Sequence, residues 1–237
     1  MARTTPGFSG FDDILNASRS RDATDLLLAR LRVGRYRPRA WMEFATAVSL
    51  RSVEQARGHP LAFWEVTALH AVLGLAADKR HRVWVAVSWT LAASHLGLLE
   101  QTKALGIPNT ATLIRANLPA VEHRLHGWAP VLALASDFLD GAIARKTGKV
   151  TVFGKNADFL ADTAFWTWFT IRHEPSRMAR VLSLTAWAAP VAAIVGASFI
   201  SGRMVDLPRS RWMRPSAAVE IIVGTRAIRR LATGAAK

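Results

Sequence analysis

From residue 61 onward the chain alternates between apolar runs and short charged knots, a pattern that predicts helices and no strands. Runs near 61–77, 83–99, 107–121, 128–145, 154–171 and 181–202 each read as a helix. Only VLSLTAWAAPVAAIVGASFIS, in the last run, has the uninterrupted apolar length that comfortably spans a bilayer. The others are shorter or carry a charge or a histidine, which is the pattern of membrane helices that line a polar cavity. A weakly apolar segment, 216–232, reads as either a seventh spanning helix or an interfacial one. The first sixty residues are different: polar, arginine-rich and without the apolar core of a signal peptide near their start. Within them DATDLLLARLR, 22–32, forms an amphipathic helical pattern. The following RVGRYRPRAW is a basic stretch that would lie on anionic lipid or belong to an ordinary solvated helix. The expected fold is therefore all-α: a polytopic membrane bundle of about six transmembrane helices (61–237), preceded by a basic amphipathic arm (1–60).

Composition sharpens this. The net charge is +14, which favours anionic partners, either nucleic acid or anionic membrane and phosphorylated substrates. Nine tryptophans tilt the balance to membrane, since Trp favours the interface. No zinc-finger or RNA-recognition signature is present, so no nucleic-acid partner is expected. With no cysteine, a disulfide framework, a thiolate metal site and a cysteine nucleophile are all excluded. The knots DKRHR, EHRLH and RHEPSRMAR fall on one side of the predicted bundle. The arm, the RKTGK loop and RMVDLPRSRWMR fall on the other, and the richer Lys and Arg content of that second set places it in the cytoplasm.

The chemistry-bearing segment is DFLDGAIARKTGKVTVFGKNADFLAD, 137–162. Asp137 and Asp140 are three residues apart, Asp158 and Asp162 four apart, and on helices each spacing puts the pair on one face. The glycine-containing stretch between them reads as a turn joining two antiparallel helices, which brings four carboxylates together. Like charges at close range in apolar surroundings need a counter-ion. An all-oxygen set without His or Cys suits a hard divalent ion such as Mg²⁺ or Mn²⁺, and magnesium commonly shares its shell with substrate phosphates. Gly141 and Ala144 leave room for a ligand beside the first helix, and Gly154 beside the second. Arg145 can take a phosphate in a bidentate fork.

The pattern Asp-x2-Asp-Gly-x2-Ala-Arg-x8-Gly-x3-Asp-x3-Asp resembles that of the CDP-alcohol phosphatidyltransferases (class I), and every fixed position is matched. The resemblance implies a polytopic enzyme of the cell membrane, its active site facing the cytoplasm. Such an enzyme moves a phosphatidyl or similar phospho-alcohol group from a CDP-linked donor such as CDP-diacylglycerol to an acceptor hydroxyl. It releases CMP and serves phospholipid biosynthesis. It implies that Asp137, Asp140, Asp158 and Asp162 bind one or two divalent metals, that Asp162 is the general base, and that Gly141, Arg145 and Thr151 lie against the CDP moiety. A CDP-activated lipid, a small alcohol or phospho-alcohol acceptor and membrane lipid are the implied partners, with a homodimer possible. The acceptor stays open among glycerol 3-phosphate, an inositol phosphate, serine and another phospholipid.

The likeness covers a core of about 106–200. Upstream, Asn109, Thr112 and Arg115 at one-turn spacing would reach the diphosphate or mark an interfacial helix start. Two apparent helices precede that core and little follows residue 202, a divergent arrangement that leaves the acceptor pocket undefined. Glu65, His70, His95 and Glu100 in the early helices read as structural. Phe165, Trp166, Trp168 and Phe169 read as core-packing or lipid-facing. Two other function classes are weighed. A polyprenyl-type transferase keeps its two acidic motifs far apart, unlike this single hairpin. A non-catalytic lipid-binding or scaffold relative would be expected to have lost a metal ligand, and none is lost here.

Overall fold

A computed structural model describes residues 11–17, 19–137, 151–205 and 214–233. Every regular element among them is helical: α1 (Phe11–Leu15), α2 (Ser20–Val33), α3 (Pro38–Gly58), α4 (Pro60–Ala76), α5 (Arg82–Ser94), α6 (Gly106–Leu125), α7 (over 129–137), α8 (Val152–His173), α9 (Arg177–Ser201) and α10 (Arg214–Ala232). Short 3₁₀ turns occupy Lys79–His81 and Leu96–Leu99. The expected apolar runs thus appear as α4 to α10, with boundaries shifted by a few residues; of the run 128–145, the part beyond 137 lies outside the described residues.

Local chemistry sets several of these boundaries. Pro38 and Pro60 stand in the first turns of α3 and α4, where a missing N–H costs nothing. Ser176 caps α9, its Oγ accepting from the amide of Ala179 at 3.3 Å. Gly202 ends α9 in the left-handed region (φ 68°), and its amide closes on the Ser198 carbonyl at 2.9 Å.

The helices run antiparallel between two ends of the bundle. At one end the starts of α4, α6 and α8 meet the end of α5. There the Leu105 amide donates to Glu65 at 2.5 Å, and Phe153 packs with Ala62, Leu96 and Leu99. At the other end Arg124 donates to the Ala76 carbonyl (2.8 Å), and Arg230 of α10 donates to the His173 carbonyl (2.8 Å). The knots at 78–82, 122–126 and 172–180 therefore share this second end. A core of Leu118, Ala133, Phe165, Trp166, Phe169, Trp187 and Val223 binds α6 to α10 together, so the aromatic group of α8 packs inward. His70 is buried against Ser88 at 3.0 Å, a structural role like that of Glu65.

Residues of the arm pack on the bundle. α3 lies against α5 and the Leu96–Leu99 turn, and α2 lies against α9. Buried Arg51 donates to the carbonyls of Ile14 (2.6 Å), Leu15 (3.0 Å) and Ala17 (3.0 Å), satisfying the open end of α1. Burial lowers its pKa from the ordinary arginine value, and these carbonyls make the buried cation tolerable.

Among the described residues one helix, α9, is long and apolar enough to cross a membrane. Only 22% of its most apolar window is buried, whereas the core helix of a soluble protein would be mostly buried. Leu61, Trp64, Val72, Leu75, Val83, Ile171, Val181, Leu182 and Ile221 also point outward from α4, α5, α8, α9 and α10. So broad an exposed apolar surface marks a face that meets something other than water.

Candidate active site

The site is built where α6, α7 and α8 converge. Asp158 and Asp162 lie one turn apart on α8, and Asp137 comes from α7. One ligand-capable oxygen from each lies within 4.8 Å of the others. Oxygens on a single magnesium ion are about 3 to 4 Å apart, so a small closure would seat all three on one ion.

Arg115, in mid-α6 and fully buried, sits among these carboxylates. Its Nε is 2.9 Å from Asp162 Oδ1, its Nη1 is 3.6 Å from Asp137 Oδ1, and its Nη2 contacts Asp158. One guanidinium thus faces three carboxylates, and negative charge stays in excess. The contact with Asp162 is an ion pair without hydrogen-bond alignment, leaving Asp162 Oδ1 buried with no hydrogen bond. A buried carboxylate oxygen in that condition, in an all-oxygen donor set, fits a hard divalent cation.

Small residues let the helices approach. A Cβ on Gly154 would stand 2.5 Å from Asn109 Oδ1 and 3.2 Å from Thr151 Oγ1. The space that the sequence reading reserved for a ligand beside Gly154 is taken by Asn109 of α6. Thr151 caps α8, its hydroxyl accepting from the Gly154 amide at 2.9 Å, and Asn109 Nδ2 approaches that hydroxyl at 3.4 Å. Asn109 also donates to the Leu105 carbonyl (2.7 Å), and Thr112 donates to that of Pro108 (3.1 Å). Of the three polar residues singled out on α6, Arg115 is the one placed among the acids. Asp140, Gly141, Ala144 and Arg145 lie outside the described residues.

Sequence reasoning missed one acid. Glu220 of α10 accepts a hydrogen bond from the Trp166 indole and feels the charges of Asp137, Asp158 and Arg115; Asp162 feels its charge in turn. Trp166 follows Asp162 by one turn, so Asp158, Asp162 and Trp166 form one stripe of α8. Gly224, one turn beyond Glu220, seats α10 on that indole: a Cβ there would be 3.3 Å from Trp166 Cη2. The available signal was a lone acid in an otherwise apolar segment.

The described helices gather three carboxylates from α7 and α8 around a buried arginine of α6, a donor set that could hold a divalent cation. The chain belongs to the CDP-alcohol phosphatidyltransferase family, whose model matches residues 102–232, a stretch that holds every helix contributing to this site. The match reaches past the sequence-derived core of 106–200 and takes in α10 with Glu220. No curated protein and no solved structure is found to match the chain. The family transfers phospho-alcohol groups, depends generally on divalent metal and is typically integral to membranes.

Proposed function

We propose that this protein is a membrane phosphotransferase that moves a phosphatidyl group from a CDP-linked lipid to an acceptor hydroxyl and releases CMP. The observation that carries the reading is the convergence of Asp137, Asp158 and Asp162 around Arg115, inside the stretch matched by the family.

Asp137, Asp140, Asp158 and Asp162 would hold Mg²⁺ or Mn²⁺, which when bound supplies positive charge for the diphosphate. Asp162 removes the proton of the acceptor hydroxyl. The acceptor oxygen bonds to the lipid-side phosphorus, the bond from that phosphorus to the bridging oxygen breaks, and CMP leaves with the electron pair. Gly141, Ala144, Arg145 and Thr151 flank the CDP moiety, with Arg145 gripping phosphate. Arg115 holds the carboxylates at one place before substrate arrives, which limits reorganisation during the reaction.

Helices α4 to α9, with α10 as a seventh pass, form the membrane bundle, α5 (13 residues) crossing together with the 3₁₀ turns at its two ends, and the acid-bearing end faces the cytoplasm. At 22 residues α8 is about 33 Å long, enough to cross although its acids lower its hydropathy. Residues 61–237 form the catalytic membrane domain and 1–60 an arm on its cytoplasmic end.

The test is incubation of the purified chain with radiolabelled CDP-diacylglycerol, Mg²⁺ or Mn²⁺ and a panel of acceptor alcohols. Metal-dependent CMP release with one acceptor, abolished in Asp158→Ala, is the expected result. No release with any acceptor would overturn the assignment of donor and reaction.

A further inference from the structure

The turn between α2 and α3 carries charge that the proposed reaction does not use. Residues 19–39 hold seven arginines against two aspartates, and Arg35, Arg37 and Arg39 are exposed around the turn. Arg35 and Tyr36 both adopt left-handed backbone (φ 51° and 54°), a conformation that non-glycine residues rarely take. The turn is fastened to the C-terminal end of α9: Tyr36 Oη donates to the Phe199 carbonyl (2.5 Å), and Arg32 Nη1 donates to that of Ser201 (2.9 Å). Just beyond, the Met204 amide donates to Asp25 at 2.5 Å.

Two clefts flank Arg35. One, of about 430 Å³, is lined by Ala29, Arg32, Val33, Arg35, Ser201 and Gly202. The other, of about 350 Å³, includes Arg35, Arg37, Arg39 and Glu43, the last paired to Arg39 at 3.2 Å, which leaves Arg35 and Arg37 as the cations open to a ligand. Exposed Val33, Trp41 and Met42 stand beside them. Cationic, apolar and tryptophan side chains at one level are the composition of a membrane–water interface. With 25 residues, α9 is about 37 Å long, so its last turn falls among the headgroups if the helix spans the bilayer.

We infer that the Arg35–Arg37 turn is a docking surface for anionic phospholipid headgroups in the leaflet on the active-site side. The inference rests on the reading of α9 as a membrane span, which the proposed function shares. The apolar share of the lining (Ala29, Val33) and the position at the end of α9 select a lipid headgroup over a free anion. A phosphate oxygen pairs with the guanidinium groups of Arg35 and Arg37 while the glycerol end lies against Val33.

The test uses the full chain in non-ionic detergent. Short-chain phosphatidylglycerol or phosphatidylcholine is titrated in, and the midpoint of thermal unfolding gives an apparent affinity. Phosphatidylglycerol should bind tighter than phosphatidylcholine, and 0.5 M NaCl should erase the difference. The double variant Arg35→Gln/Arg37→Gln should bind phosphatidylglycerol about thirtyfold more weakly, from about fivefold per arginine near an anionic surface. Arg35→Lys/Arg37→Lys should keep the preference. Equal titration by the two lipids on the unaltered chain would overturn the inference. So would a preference surviving in the Gln variant, which would place the lipid at other cations of the chain. Inorganic phosphate protecting as well as phosphatidylglycerol would show a small-anion cleft and overturn the lipid assignment. A chain that needs no detergent would remove the span it rests on. CMP release is measured separately: absent release with an intact lipid preference would sink the proposed reaction and leave this surface standing.

Discussion

Arg115 decides much of what the acid cluster can do. Replacing it with Ala would leave three carboxylates without their counter-charge. Asp137 and Asp158 are 41% and 42% exposed, so the cost falls below the ~3–5 kcal/mol of breaking a fully buried pair. The expected outcome is a drop in thermal midpoint without metal, partly recovered by millimolar Mg²⁺ as a substitute cation. An unchanged midpoint would show that the carboxylates do not depend on it. Glu220 gives a subtler prediction. Glu220→Gln can still accept from the Trp166 indole, so stability should hold. Removing one negative charge should raise the Mg²⁺ concentration needed for the thermal shift several-fold, for an effect on the order of 1 kcal/mol. Asp158 and Asp162 were legible as a pair because spacing alone put them on one helix face, and Asp137 stands with them; the fourth motif acid, Asp140, lies outside the described residues. Arg115 was visible as a polar residue on α6, but its partners were not, since they lie 22 to 47 residues away in sequence. Glu220 was hidden because a single acid in a weakly apolar segment carries no spacing signal, and only tertiary packing on Trp166 brings it to the site.

At the scale of elements, the contact between α6 and α8 fixes where Asp158 and Asp162 stand. At Gly154 the two helices approach closely, and a methyl group there collides with the short, buried side chain of Asn109. Gly154→Ala should destabilise by about 1–3 kcal/mol through overpacking. Asn109→Ala in the same chain should recover part of the loss, which a double-mutant cycle by thermal unfolding would measure. Additive losses would mean that the contact does not limit the approach. The far end of the bundle has its own fastening. The Glu174 carboxylate is fully buried between Arg226 Nη2 (3.1 Å) and Arg230 Nη2 (3.4 Å), tying α10 to the α8–α9 turn. Removing that carboxylate would break both ion pairs, leave Arg230 on the His173 carbonyl and loosen the helix that carries Glu220. The helices from α4 onward were readable from apolar runs and knots and α2 from its amphipathic pattern, whereas α3, 21 residues within the polar arm, was not. What one-dimensional reading could not supply was the role of small residues: Gly154 looks the same in sequence whether a ligand or a neighbouring helix fills the space beside it.

For the whole molecule, the contacts define two ends, and charge predicts which would face the cytoplasm if the bundle spans a membrane. The α8–α9 connection is only a few residues long, so the end of α9 returns to the end of the bundle where α8 begins. Asp158 lies six residues into α8, about 9 Å from its start, so the acids open toward the end that also holds the α2–α3 arginine turn. Under the proposed function the positive-inside rule would keep that arginine-rich end in the cytoplasm, where CDP-linked donors would reach the acids without crossing the bilayer. The chain contains no cysteine, so a single introduced thiol reports sidedness without background. Arg203→Cys, just past α9, should react with a membrane-impermeant maleimide in inside-out vesicles and be protected in right-side-out ones. Met178→Cys, an exposed position at the start of α9, should show the reverse. The reversed pattern would place the carboxylates outside and contradict the cytoplasmic assignment. Labelling of both positions from one side would show that α9 does not cross, and the outward apolar surface of α4, α5 and α8 would then have to be covered by another protein surface instead of by lipid.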